Sequence, residues 1–152
     1  MNKGLIALGA VIVVIIFILG GVFSLYNGLK ESEISVDAAY GQVENQMQRR
    51  SDLIPNLVNT VKGYDVHEKA VIEEVVNARA KLAGAQGVEQ IDAANAELTG
   101  ALGRLFAIAE AYPDLKANTQ YLELMRELAG SENRIAVARR DYNEAVREYN
   151  VR

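Results

Sequence analysis

Cysteine is absent from this 152-residue sequence, which excludes disulfides, thiolate metal sites and a lipid-modified cysteine. Tryptophan is absent too, histidine occurs once, and there are only two prolines. Few helix breakers and an abundance of Ala, Leu, Val, Glu and Arg favour long helices, since most of these side chains lose little freedom in a helix or pack along one. Basic charge is also scarce. Lys3 is the one basic residue before Lys30, so beyond it stand 15 basic and 20 acidic residues, a net of −5. A nucleic-acid binder would carry a basic face, and none is indicated.

Charge is missing altogether from "LIALGAVIVVIIFILGGVFSL", residues 5–25. At about 1.5 Å per residue this run spans the roughly 30 Å hydrocarbon layer. A cleaved signal peptide has a shorter apolar region and a small-residue cleavage site, and "SLYNGLKESE" offers no such site. The expectation is a transmembrane anchor over residues 1–28, contacting lipid through 5–25, followed by a helical body over residues 29–152. Tyr26 falls where aromatic rings anchor at the membrane interface. Gly20 and Ser24 form a small-xxx-small pair through which anchors could pack. Lys3 before the span leans the topology toward a cytoplasmic N-terminus and an extracytoplasmic body, a single-pass protein of the cell membrane.

The body has helical periodicity throughout. The seam Val36, Tyr40, Val43, Met47, Arg50, Ile54, Leu57, Val61, Tyr64, Glu68, Val71, Val75, Ala78, Leu82 keeps 3–4 spacing without slipping. Pro55 sits inside it. Proline lacks an N–H and crowds the carbonyl four residues back, so it predicts a helix bend near Arg50–Pro55 or a restart capped by Ser51 or Asp52. "KGYD" at Gly63 is the second candidate break, and the spacing does not choose between them. "GAQGV", 84–88, reads as a helix end and a loop. A second seam runs Ile91, Ala94, Leu98, Leu102, Leu105, Ala109, Tyr112 until "AYPDL", where Pro113 suits the start of another helix. The last seam is Tyr121, Met125, Leu128, Glu132, Ile135, Ala138, Tyr142, Ala145, Tyr149, continuing in phase across Gly130–Ser131. No stretch alternates with period two. The body is therefore expected to be all-α, an up-and-down bundle of long helices whose short connections imply antiparallel neighbours.

No motif carries catalysis. "HEKAV", 67–71, departs from HExxH because Val71 stands at the second histidine, and Tyr64 stands where a Glu-x-x-His pair needs its glutamate. His67 reads as a polar surface or turn residue. No nucleophile–base pair, phosphate loop or dinucleotide fingerprint occurs, so no catalytic, cofactor-binding or metal residues are assigned. The unusual residues are charges inside apolar seams: Arg50, Glu68 and Glu132. An unpaired buried charge is too costly to keep, so these are expected to pair with one another or with Arg49, Asp52, Arg79 or Arg139. The resulting structural polar seam comprises Arg50, Asp52, Glu68, Arg79, Glu132 and Arg139. The alternative is a solvated stripe on partly covered helices.

An apolar anchor followed by "YNGL", "QRRSDLIPNLVNTVKGYDVHE", "EAYPDLKAN", "LAGSENRIAVARRDYNEAV" and "EYN" resembles the LemA family of bacterial and archaeal membrane proteins, from Tyr26 to Asn150. The resemblance implies four helices, where periodicity alone leaves three or four open: an N-terminal transmembrane helix followed by an antiparallel up-and-down four-helix bundle. It implies no enzyme and no cofactor. Chains of the family usually continue past "EYN" with a Phe-Pro-containing tail, and this sequence ends in "EYNVR".

Three functions compete. The favoured one is a membrane-anchored, non-enzymatic structural protein that self-associates into a homo-oligomer at the bacterial envelope, because a small body has limited core and its stripes can be completed by copies. The second is an adaptor presenting the bundle to an envelope partner such as a membrane protease. The third is an enzyme using acids such as Glu68 and Glu132, disfavoured because no activated group accompanies them.

Overall fold

The computed structural model describes residues 3–64 and 67–151, with the side chains of residues 3, 5–8 and 10 outside that description. Among the described residues five helices follow in order: α1 (Lys3–Lys62), α2 (Lys69–Gly84), α3 (Gly87–Ala109), the single turn α4 (Pro113–Lys116) and α5 (Thr119–Val151). No strand occurs among the described residues.

α1 is one helix of 60 residues, about 90 Å long at 1.5 Å per residue. The restart allowed for near Arg50–Pro55 does not occur. Ser51 and Asp52 are mid-helix, so neither is an N-cap, and α1 runs unbroken through Pro55. The tertiary fold compensates the proline. Its missing N–H leaves the Ser51 carbonyl without its helical partner, and Nε of Arg79, from α2, donates to that oxygen at 3.0 Å. The chain leaves the helix at Gly63 instead, whose N–H is shared between the carbonyls of Asn59 and Thr60, both at 3.2 Å. Asp65 and Val66, in the predicted "KGYD" turn and after it, lie outside the described residues.

Of the apolar run 5–25, the residues from Val11 onward are described with their side chains, and all of them are exposed. From Val11 to Lys62 α1 is, by length and composition, a helix long and apolar enough to cross a membrane. Further along, α1 turns a covered face to the other helices through Val43, Met47, Ile54, Leu57 and Val61. These join Val75, Ala78 and Leu82 of α2, Leu98, Leu102 and Leu105 of α3, Leu115 of α4, and Tyr121, Leu128 and Ile135 of α5 in one core. Each fully buried leucine contributes about 1.5–3 kcal/mol relative to exposure.

Side-chain pairs give the helix directions. Tyr40 meets Tyr142 with ring centroids 5.8 Å apart, and Arg49 lies 3.6 Å from Glu127. Contacts climbing α1 thus descend α5, and the two helices run in opposite directions. The same holds for α2 and α3, where Lys81 bonds Glu97 at 2.5 Å and Arg104 Nε bonds Glu74 at 2.8 Å.

At the end of the body farthest from the apolar run, Tyr64 and His67 are tied to residues of the connection 110–118. Asn118 caps α5: its Oδ1 accepts from the Tyr121 N–H at 2.8 Å, and its Nδ2 donates to the Tyr64 hydroxyl at 2.6 Å. One side chain therefore satisfies an otherwise orphaned helix N–H and fastens α5 to the end of α1. Gly87 opens α3 with φ of +76°, a left-handed conformation that glycine adopts without a Cβ penalty.

Candidate functional site

The most unusual local chemistry is a polar layer across the middle of the body, centred on Arg50. Its side chain is only 4% exposed. Residue 50 falls on the covered face of α1 because it keeps the phase of Met47 and Ile54. Nη1 donates to Oδ1 of the buried Asn95 at 2.6 Å, and Nη2 donates to the Thr99 hydroxyl at 3.1 Å. The Thr99 hydroxyl donates in turn to the Asn95 carbonyl at 2.9 Å. Glu132 of α5 forms an ion pair with Nη1. Its Oε2 is buried in contact with the guanidinium. Nε of Arg50 is buried without a hydrogen-bond partner. Burial pushes the Arg50 guanidinium below its ordinary value, and Glu132 opposes that push.

One α1 side chain thus binds α3 and α5 together, and Arg79 links α2 to the α1 backbone one residue further on. Arg139 pairs with Asp92, joining α5 to α3. Asp92 Oδ1, buried and without a partner, lines a small cavity of about 50 Å³ with Tyr40, Val88 and Tyr142. Of the six residues grouped by sequence as a polar seam, Arg50 and Glu132 meet directly, while Arg79 and Arg139 join neighbouring helices. Asp52 and Glu68 stay outside. Asp52 is on the exposed face of α1 and accepts from Gln48 at 2.8 Å. Glu68 is exposed at the N-cap of α2, and its side chain makes no cap hydrogen bond. Its place in the sequence spacing is lost because the helix has ended before it. Asn95 and Thr99, essential to the layer, were not foreseen. Their signal was an asparagine beside the apolar seam residue Ala94, and a threonine one turn later.

Chemically this arrangement clamps helices together. Its groups are a permanently charged guanidinium, an amide, a hydroxyl and one carboxylate, with no nucleophile beside a base. The Ser131 hydroxyl, also buried, donates to the Leu128 carbonyl at 2.6 Å. His67 is exposed, and its backbone N–H lies 3.4 Å from the Tyr112 hydroxyl. Among the described residues no three acidic or histidine side chains converge as a metal site would need. An open hollow of about 690 Å³ lies where α1 ends beside α2, between Lys62, His67, Lys69, Ile72 and Val76. Tyr26 is exposed on α1 just past the apolar run.

Fold and polar layer together define an all-helical protein in which one long helix is an exposed apolar rod in its first part and a core element in its second. The sequence model of the LemA family matches residues 39–152, three quarters of the chain, including the whole polar layer. The chain belongs to the LemA family. It is similar to two magnetosome MamQ proteins, those of Paramagnetospirillum magneticum and Magnetospirillum gryphiswaldense, each 26% identical over 83% of this chain and 56% of the relative. It is also similar to protein LemA of Metamycoplasma hominis, 27% identical over 82% of this chain and 57% of that protein. The chain thus spans a little over half the length of these curated relatives.

Proposed function

We propose that the chain is a membrane-anchored, non-enzymatic structural protein of the bacterial envelope. In this reading residues 1–28 form the anchor and residues 29–152 an antiparallel up-and-down four-helix bundle that self-associates into a homo-oligomer. The observation that carries it is the continuity of α1. A flexible tether would let an enzyme or a catcher domain sample its surroundings. Here the exposed apolar rod and the packed core share one uninterrupted helix, so any tilt of the anchor is transmitted to the body. From Leu25 to Lys62 the helix rises about 55 Å, a rigid strut standing off the bilayer. The opposed directions of α1 with α5 and of α2 with α3, and their common core, support the bundle. Gly20 and Ser24, exposed in the apolar part, supply a close-packing face between anchors. Lys3 favours a body outside the cytoplasm.

The test is the mass of the detergent-extracted full-length protein, measured beside a form lacking residues 1–28. A discrete assembly supports the scaffold, and its persistence without the anchor locates the contacts in the body. A monomer in both samples refutes self-association. The hollow bounded by Lys62, Lys69 and the exposed Val76 favours one second reading, an adaptor that docks an envelope protein there. A photo-crosslinker at position 76, irradiated in membranes, tests it: adducts to one partner support it, and none refutes it.

A further inference from the structure

Beside the C-terminal end of α2, a pocket of about 150 Å³ opens between that helix and α1. It has room for several water molecules. Glu44, Gln48 and Ser51 line it from α1, one helix face at i, i+4 and i+7. Met47, Leu82 and Ile91 supply apolar wall. Ser51 is the unusual member. It is only 3% exposed, and its hydroxyl oxygen is buried without a hydrogen-bond partner. A hydroxyl inside a helix commonly bonds the carbonyl four residues back. Ser32, Thr60 and Thr99 do so at 3.0, 2.8 and 2.9 Å, whereas Ser51 makes no such bond.

The polar groups around this pocket are acceptors. The Glu44 carboxylate lies beside the Tyr40 hydroxyl and has no ion-pair partner among the described residues. Gln48 donates to Asp52 through Nε2 at 2.8 Å, which leaves its carbonyl oxygen as an acceptor. The last turn of α2, through Leu82, Ala83 and the capping Ala85, adds carbonyl oxygens and the negative end of the helix dipole. Both cations in the second half of α2 are engaged elsewhere, Arg79 on the Ser51 carbonyl at 3.0 Å and Lys81 on Glu97 at 2.5 Å. Acceptors around one carboxylate suit a singly charged donor. The apolar wall favours an alkyl stem over a bare divalent ion, which takes six or more oxygens and more negative charge. We infer that this pocket binds a primary alkylammonium group. Its three N–H donors are shared among Glu44, Gln48 and Ser51, and its stem lies against Met47, Leu82 and Ile91. Glu44 and Gln48 are exposed at the rim, so either can turn aside to uncover the Ser51 hydroxyl. A small free amine and the lysine side chain of another protein share this chemistry. The site depends neither on the anchor nor on self-association.

The chain has three methionines, and Met47 is the one that lines the pocket. Carbon-13 methyl labelling of methionine therefore reads this site directly by NMR. The whole chain, in dodecylmaltoside micelles, is titrated with n-butylammonium chloride, with 1-butanol and with Nα-acetyl-lysine methylamide. The expected result is a saturable shift of the Met47 methyl with n-butylammonium and none with 1-butanol, while Met125 stays still. Glu44→Gln should raise Kd by about tenfold or more, as loss of one charge-assisted hydrogen bond requires. Ser51→Ala should raise it a few-fold. It removes a hydroxyl that bonds nothing in the fold, so this variant keeps the test valid if Glu44→Gln misfolds. Saturation by both amines supports the site with a lysine side chain admitted, and saturation by n-butylammonium alone supports it with a free amine as the source. An equal response to 1-butanol, an unchanged Kd in the variants, or no Met47 shift overturns it.

Discussion

Replacing Glu132 by glutamine removes the one counter-charge paired with Arg50 among the described residues, and Arg50 cannot recover it from water at 4% exposure. Removing one partner of a buried ion pair costs about 3–5 kcal/mol. The Glu132 side chain is 47% exposed, so part of its field is already screened and the figure falls to about 2–3 kcal/mol. Arg50→Met behaves differently. It removes the buried charge, keeps most of the side-chain volume, and leaves a half-exposed Glu132 free to hydrate. What remains is the lost partner of the buried Asn95, worth about 1–3 kcal/mol. On the Arg50→Met background, Glu132→Gln becomes an ordinary surface change, within about 0.5 kcal/mol of neutral. The cycle therefore predicts a coupling of about 2 kcal/mol, inside the range seen for residues in contact. Urea titration of the full-length protein in mild detergent, followed by far-UV ellipticity, reads it as midpoint shifts at constant slope. A neutral Glu132→Gln, or strictly additive effects in the double variant, would refute the account of the layer as a charge-paired clamp.

Pro55→Ala restores an N–H for the Ser51 carbonyl, so it is expected to stabilise or leave stability unchanged; Arg79→Ala should cost about 1–3 kcal/mol in the natural background and less beside Pro55→Ala, as a double-mutant cycle by urea titration will read. Asn118→Ala removes both the α5 cap and the tie to Tyr64 and is expected to cost about 1–2 kcal/mol, seen as a lower melting temperature. Burial holds the Tyr121 hydroxyl above its ordinary value. Its contribution is therefore present below about pH 10 and is lost as pH rises toward the folded-state value. Tyr121→Phe should flatten the alkaline fall in stability, measured by urea midpoints across that range; an unchanged slope would remove Tyr121 from the explanation.

Periodicity and composition by themselves determined the helical class, the apolar run and most of the core. An amphipathic helix advertises its covered face every three to four residues, and twenty uncharged apolar residues have few other uses. The match of residues 39–152 to the LemA family was likewise legible, because its motifs are long and in order. Spacing could not show where the first helix ends. The seam from Val36 to Leu82 keeps phase through Val61, Tyr64, Glu68 and Val71, yet the helix stops at Lys62 and a new one begins at Lys69. Phase counts residues along a chain and is blind to a change of direction. Pro55 was one of two candidate breaks, and the helix runs on through it, with a donor from residue 79, 28 positions away from the carbonyl it satisfies. The polar layer divides in the same way. A charge in an apolar seam marked Arg50 and Glu132 as needing partners. Only tertiary packing decided that Asn95 and Thr99 would meet Arg50, and that Glu68 would stand in solvent, because a partner is set by which helix lies opposite and at what height.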